Sequence, residues 1–237
     1  MLINPTRNTY KIFFVAGSII VMLFVAWACS RNDKTTLPPE LQNVVLESPM
    51  AITKFELTTQ RGTTFSVNDF KNKWTFLFFG YTNCPDVCPT TLTELTQLAK
   101  QLDSSIPASS SENHRQNTQQ STKSTIVKTT AEVQYVFVTV DPQRDTQQHL
   151  AGYLNYFNQD FIGLTGSMDN IEQLAGQLKI KHARGEGSND NYTVNHSSAI
   201  LLIDPQGRYY AKFSAPHYAE NLRSKLFLIK QHFHRFS

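Results

Sequence analysis

The chain has 237 residues, of which 40% are hydrophobic and 17% charged, a composition typical of one globular domain with appendages. Lys and Arg number 22 against 19 Asp and Glu, and no basic block stands out, so nucleic-acid binding is not indicated. A single long apolar run excludes a polytopic membrane protein. The three cysteines, Cys29, Cys84 and Cys88, are too few for a disulfide framework.

The amino-terminal segment carries Arg7 and Lys11 and then the uncharged run Ile12–Ala28, which ends at Cys29. This order of basic and apolar residues predicts an export signal, at the short limit of length for a membrane helix. Two interpretations remain open for residues 1–29: an uncleaved signal anchor, or a lipoprotein signal peptide that leaves Cys29 lipidated. Both predict a membrane tether, with the domain facing the periplasm or another extracytoplasmic space.

Residues 30–48 are mostly polar and predict a flexible linker, so the folded body is expected over 49–237. Within the body, residues 104–128 are polar and low in complexity, and they predict a loosely ordered insertion between two elements. Two continuous apolar runs, Trp74–Tyr81 and Val133–Val140, are typical of strands buried on both faces.

The remaining elements alternate between strand and helix patterns. In chain order they are a hairpin around Gln60–Gly62, a helix from Pro85 to Leu102, helices over Gln147–Phe157 and Met168–Leu178 with a short strand at FIGLT between them, a hairpin of Ser198–Ile203 with Arg208–Phe213, and a helix over Tyr218–Phe233. This alternation predicts an α/β fold with a central mixed β-sheet flanked by helices.

The cysteines Cys84 and Cys88 lie in GYTNCPDVCPTTL, where a buried strand turns into a helix. A helix amino terminus stabilises thiolates, and a spacing of four places both sulfurs near one side of the first turn. Such a pair can exchange disulfides or bind a soft ion such as Cu(I). Structural zinc is disfavoured, because no second cysteine pair supplies the remaining two ligands.

A third metal ligand is predicted at His196, which stands in VNHSSAILLID just before an apolar strand. The other six histidines lack this placement, although His217 is a weaker second candidate. The rest are His114 in the insertion, His149 on a helix, His182 before a predicted Gly-rich loop, and His232 and His234 at the carboxyl end.

Four motifs together resemble the Sco/SenC family: GYTNCPDVCPTTL, DPQRDT, FIGLTG and VNHSSAILLIDPQG, in that family's order. These are membrane-tethered copper-binding proteins with a thioredoxin-like fold. The resemblance implies that Cys84 and Cys88 bind copper, as Cu(I) or Cu(II), with His196 as third ligand. It also implies a supporting role for Asp141, whereas Asn195 departs from the Asp that often precedes the family's histidine.

The resemblance implies delivery of copper to the CuA-bearing subunit of cytochrome c oxidase, or to another cuproprotein. An alternative is a thiol-disulfide oxidoreductase in which Cys84 and Cys88 are catalytic and reduce the recipient's cysteines. A redox or copper sensor would use the same residues. No proline precedes Ser198 where thioredoxin has its cis-proline, which favours a metal site over a general reductase.

Overall fold

The computed structural model describes residue 22 and residues 37–104, 132–188 and 191–233. The chain forms two compact units, 1–39 and 40–237, and the fold described below belongs to the second. The predicted signal segment with Cys29, and nearly all of the predicted insertion, lie outside the described residues. Within the described part, no helix combines the length and apolarity that crossing a membrane requires.

The described residues form a mixed β-sheet of eight strands and a separate pair of strands. The strands are β1 (Val45–Ala51), β2 (Glu56–Thr59), β3 (Thr64–Ser66), β4 (Lys73–Gly80), β5 (Glu132–Thr139), β6 (Ile162–Thr165), β7 (His182–Ser188), β8 (Asn191–His196), β9 (Ile200–Ile203) and β10 (Arg208–Phe213). In the main sheet their order is β1-β10-β9-β4-β5-β6-β2-β3. Strands β4, β5 and β6 run parallel, and the other pairs are antiparallel. The predicted central mixed sheet is confirmed.

Four α-helices lie in the described part: α1 (Val87–Ser104), α2 (Gln147–Phe157), α3 (Met168–Gln177) and α4 (Ala219–Phe233). Helix α1 packs against α4, and α2 packs on β6. Two of them begin at capping side chains: Thr146 accepts a hydrogen bond from the His149 N–H, and Ser167 accepts one from the Asn170 N–H. Such caps satisfy amino-terminal N–H groups that have no partner inside the helix.

The core is centred on β4 and β5, as their apolar runs predict. Phe76, Phe78 and Phe79 on β4 are fully buried, and so is Phe137 on the neighbouring strand. Burial on both faces is characteristic of central parallel strands, because helices and further chain cover each side. The end of β4 is therefore a rigid platform for the residues that follow it.

Strand β1 begins at Val45, inside the segment that the sequence predicts to be linker. It pairs with β10 at the edge of the sheet, with a register irregularity between Val45 and Met50. Pro49 lies within this strand. A proline is tolerated at a sheet edge, where its missing N–H removes no essential ladder bond.

The paired strands β7 and β8 correct a second expectation, since the sequence predicts only a Gly-rich loop after His182. Gly187 adopts a φ of 134°, and the register shifts between Arg184 and Gly187. A Cβ on Gly185 would lie 2.4 Å from the Thr193 Oγ1. The glycines therefore permit a bulged hairpin here, although glycine weakens the strand signal in the sequence.

Candidate metal centre

The predicted ligands come from two parts of the fold: the segment that follows β4, and the β7–β8 hairpin. Cys84 lies in the loop between β4 and α1, Cys88 lies in the first turn of α1, and His196 ends β8. The structure brings one sulfur of each cysteine and a ring nitrogen of the histidine within 4.8 Å of one another. Residues separated by more than a hundred positions therefore converge on one point at the carboxyl end of β4.

The two cysteines are free thiols in different surroundings: Cys84 is partly exposed and Cys88 is buried. The backbone N–H of Cys88 approaches the Cys84 Sγ at 3.5 Å. This N–H belongs to the first turn of α1, where the amide groups have no partner within the helix. The helix start therefore directs an unpaired donor at the Cys84 sulfur, which favours a thiolate there.

The thiol pair shares one proton unequally. The side-chain hydrogen bond with Cys88 lowers the pKa of Cys84 to about 3, and hydrogen bonds from backbone N–H groups act in the same direction against the cost of burial. The same thiol–thiol hydrogen bond, followed by burial, raises the pKa of Cys88 above its usual range. At neutral pH Cys84 is therefore the thiolate and Cys88 keeps the proton.

The imidazole of His196 is oriented for metal binding. Its Nδ1 lies 3.0 Å from the carbonyl oxygen of Ser197, and its Nε2 lies 3.4 Å from the Cys88 Sγ. Because a carbonyl only accepts, Nδ1–H donates to it and the Nε2 lone pair faces the sulfurs. The rings of Phe78 and Tyr81 meet the imidazole edge-on, with centroids at 6.0 and 5.8 Å, and restrict its rotation.

Close packing at the end of β4 depends on Gly80. A Cβ at this position would lie 2.8 Å from the Cys88 Sγ and 2.8 Å from the Phe137 Cε2. No real Cβ contact is that short, so a side chain here would displace the sulfur or the ring. The last residue of the strand therefore makes room for a ligand atom.

A buried carboxylate holds the ligand loop to the sheet. Asp145 is inaccessible to solvent, and it accepts hydrogen bonds from the Thr82 N–H at 3.0 Å and from the Thr82 and Thr139 hydroxyls at 2.6 Å each. Burial raises the pKa of Asp145, while the hydrogen bonds from Thr139 and Thr82 oppose the shift. Thr82 precedes Cys84 by two positions, so Asp145 fixes the start of that loop against β5.

A second acidic residue holds the β7–β8 hairpin. Asp141 accepts a hydrogen bond from the Tyr192 hydroxyl at 2.6 Å and forms an ion pair with Arg144. The Arg144 guanidinium lies over the Tyr192 ring, 3.6 Å from its centroid, and donates to the Tyr192 carbonyl at 3.0 Å. Asp141 thus supports the strand that carries His196, without belonging to the three converging donors.

Sequence reasoning missed Asp145, Arg144 and Tyr192 as supporting residues. The signal was available for the first two, since both stand in the DPQRDT motif that begins with Asp141. No local pattern marks Tyr192, because its partners lie about fifty positions away in the chain.

None of the remaining described histidines belongs to the three converging donors. The ring of His217 is buried and its Nε2 donates to the Ser198 carbonyl at 2.7 Å, so the structure assigns it a packing role. The His149 Nδ1 lies 3.1 Å from the Arg144 carbonyl. His182 is opposite His196 in the β7–β8 ladder, a neighbour that sequence reasoning did not anticipate. His114 and His234 lie outside the described residues.

Comparison with known proteins identifies the family to which this chain belongs. The sequence model of the SCO1/SenC family matches residues 46–111 and 114–230, most of the chain. The protein belongs to the SCO1/SenC family. The SCO2-like protein of Rickettsia typhi is 31% identical over 226 residues, which cover 92% of this chain and 98% of that relative.

Two solved structures share the fold of this family member. The ScoI protein of Arabidopsis thaliana with copper bound superposes with a TM-score of 0.61 and 27% identity, covering 76% of this chain and 98% of that one. The copper-bound ScoI of Bradyrhizobium japonicum gives a TM-score of 0.60 and 27% identity, covering 75% and 98%. The predicted thioredoxin-like α/β fold is confirmed for the described residues, whereas the membrane tether stays a prediction.

The donor set fits copper. Two soft sulfur donors and one imidazole suit Cu(I), and the nitrogen also makes the set compatible with Cu(II). The predicted copper cofactor is therefore supported both by the family and by the three donors that meet in this chain. The three donors that converge in this structure are one fewer than the four protein ligands typical of structural zinc.

Proposed function

We propose that this protein is a membrane-tethered copper metallochaperone that binds copper through Cys84, Cys88 and His196. Its domain would face the periplasm or another extracytoplasmic space. Its recipient would be the CuA-bearing subunit of cytochrome c oxidase or another cuproprotein. The observation that carries the proposal is the convergence of two sulfurs and one imidazole nitrogen within 4.8 Å.

The unequal exposure of the two thiols suggests an order for metal exchange. Cys84 is partly exposed and already a thiolate, so a donor's or recipient's ligand would approach the copper on its side. Cys88 is buried and would release its proton when the metal binds. His196 presents its Nε2 from the neighbouring hairpin, so the copper would be held from two different parts of the fold.

The test is a copper titration of the reduced full chain, followed by transfer to a copper-free CuA domain. We expect one copper per chain, and we expect Cys88→Ser to weaken Cu(I) binding by at least about a hundredfold, because an oxygen donor replaces a soft thiolate. We expect His196→Ala to weaken Cu(II) binding most, because the imidazole is the only nitrogen among the three donors.

The matched control is His149→Gln, which removes an exposed histidine away from the three donors. It should bind and transfer copper like the wild type. Unchanged copper affinity in Cys88→Ser would contradict the proposed site, and no transfer to the CuA domain would contradict the proposed recipient.

A second function is favoured by the same thiol pair. The Cys84 thiolate beside the protonated Cys88 is suited to disulfide exchange: Cys84 would attack a recipient disulfide, and Cys88 would then resolve the mixed disulfide. The recipient would gain two thiols while this pair is oxidised to a disulfide. Full reduction of a CuA-domain disulfide by copper-free His196→Ala, without any copper transfer by the wild type, would favour this function over the first.

A further inference from the structure

His182 stands directly beside the candidate metal centre. It is the first residue of β7 and pairs in register with His196, the last residue of β8. Residues opposite each other in an antiparallel pair point to the same face, with Cβ atoms about 5 Å apart. The two histidines are therefore neighbours on one face of the hairpin.

Both histidines also line the same open cavity. It has a volume of about 680 Å³, and its lining includes Lys181, Asn195 and Ser197 in addition to the two histidines. His182 is partly exposed there. His182 therefore borders this cavity together with His196, the ligand that approaches Cys88.

Whether copper takes a fourth ligand beyond the three converging donors depends on its oxidation state. Cu(I) is satisfied by a small number of soft ligands, whereas Cu(II) favours a tetragonal set with nitrogen or oxygen donors. His182 is not among the three donors that converge within 4.8 Å. It would reach the metal by rotation of its partly exposed side chain, a motion that is fast for such residues.

We propose that His182 is a fourth ligand, used by Cu(II) and not by Cu(I). The inference rests on the proposed copper function and adds a change of coordination to it. In the Cu(II) form the ion is held by two sulfurs and two imidazoles. In the Cu(I) form His182 is released, which leaves a three-coordinate ion held by Cys84, Cys88 and His196.

The experiment counts imidazole nitrogens on Cu(II) by pulsed electron paramagnetic resonance of the full chain. Two are expected in the wild type and in the His149→Gln control, and one in His182→Gln. Loss of this ligand should weaken Cu(II) binding by about tenfold or more. Replacing a residue that only hydrogen-bonds to a metal ligand already lowers metal affinity by that factor. The Cu(I) affinity of His182→Gln should equal that of the wild type, which also reports that the variant is folded.

The outcomes separate the two proposals. Wild-type protein without a thiolate-to-copper charge-transfer band would contradict the copper function itself. Wild-type protein with that band and only one coordinated imidazole would overturn the role of His182 alone, whatever the variant does. Equal weakening of Cu(I) and Cu(II) binding in His182→Gln would overturn the selectivity for one oxidation state.

Discussion

Two regions supply the ligands: the segment after β4, and the β7–β8 hairpin. They differ in how extensively burial and hydrogen bonds hold them in place. The thiols follow β4, a strand whose residues from Trp74 to Gly80 are buried, and their loop is held by the carboxylate of Asp145. His196 ends a two-stranded hairpin that contains glycines and is mostly exposed or partly exposed. Tyr192 attaches the hairpin to the rest of the domain through its contacts with Asp141 and Arg144.

This difference suggests that the two regions have different roles at the metal. The sulfurs have a fixed geometry, because core packing and buried hydrogen bonds determine their positions. The hairpin that carries the imidazole can adjust, because most of its residues are exposed or partly exposed and local opening costs little in such regions. Substitutions in the two regions should therefore have different effects, large on stability for the first and small for the second.

The largest effect is expected from Asp145→Ala. The substitution leaves the Thr82 N–H and the hydroxyls of Thr82 and Thr139 without their buried acceptor, so we expect a loss of about 3 kcal/mol in the free energy of unfolding. Chemical denaturation of the copper-free protein measures it. The exposed Asp160→Ala is the control and should change stability by less than about 0.5 kcal/mol.

The free energy of unfolding should also depend on pH through Asp145. Burial raises the pKa of Asp145, so this group's contribution to stability is greatest below its unfolded pKa and is lost as the pH rises through its folded pKa. Asp145→Asn, which cannot ionise, should therefore destabilise the protein less at about pH 7 than at about pH 4. A larger cost at neutral pH would contradict this assignment.

A smaller loss of stability is expected from Gly80→Ala, at the end of β4. The added methyl would collide with the Cys88 sulfur and the Phe137 ring, both in a packed region, which should cost about 1–3 kcal/mol and weaken copper binding. Gly152→Ala is the matched control, since its Cβ meets nothing within 4 Å on helix α2 and should stabilise the protein by about 0.5–1 kcal/mol. Equal effects in the two variants would contradict the tight packing at Gly80.

Copper binding should depend on pH through one thiol rather than two. The lowered pKa of Cys84, about 3, makes it a thiolate at neutral pH, while the raised pKa of Cys88 keeps that thiol protonated. Binding of Cu(I) should then release about one proton, and apparent affinity should fall about tenfold for each pH unit below neutrality. Competition titrations at several pH values measure the slope, and a slope of two protons would contradict the shared-proton arrangement.

The smallest effect is expected from Tyr192→Phe in the hairpin. It removes the hydrogen bond to Asp141 but keeps the ring under the Arg144 guanidinium, so stability should fall by only about 1 kcal/mol. Cu(II) affinity should fall by a few fold, because the strand that carries His196 loses one attachment. Tyr156→Phe, at an exposed position on α2, is the control, and an equal loss of Cu(II) affinity there would remove Tyr192 from this role.

Much of the fold was predictable because its signals are local. The apolar runs at β4 and β5 require burial on both faces, and the helices show their spacing and caps in adjacent residues. The hairpin of β7 and β8 was not predictable in this way, since Gly185 and Gly187 suppress the strand pattern. Strand β1 was missed because its first residues belong to the mostly polar segment 30–48, which predicts a linker, and its pairing with β10 is set by the tertiary structure.

The sequence by itself determined the chemistry of this protein: two cysteines one helical turn apart after a buried strand, and a histidine before another. It also determined the family, through motifs that contain those residues. Only the tertiary structure decided which atoms meet, because the contacts of His196 with Cys88, of Asp145 with Thr82 and of His182 with His196 join distant parts of the chain. Strand pairing and burial set those distances, and no local pattern carries them.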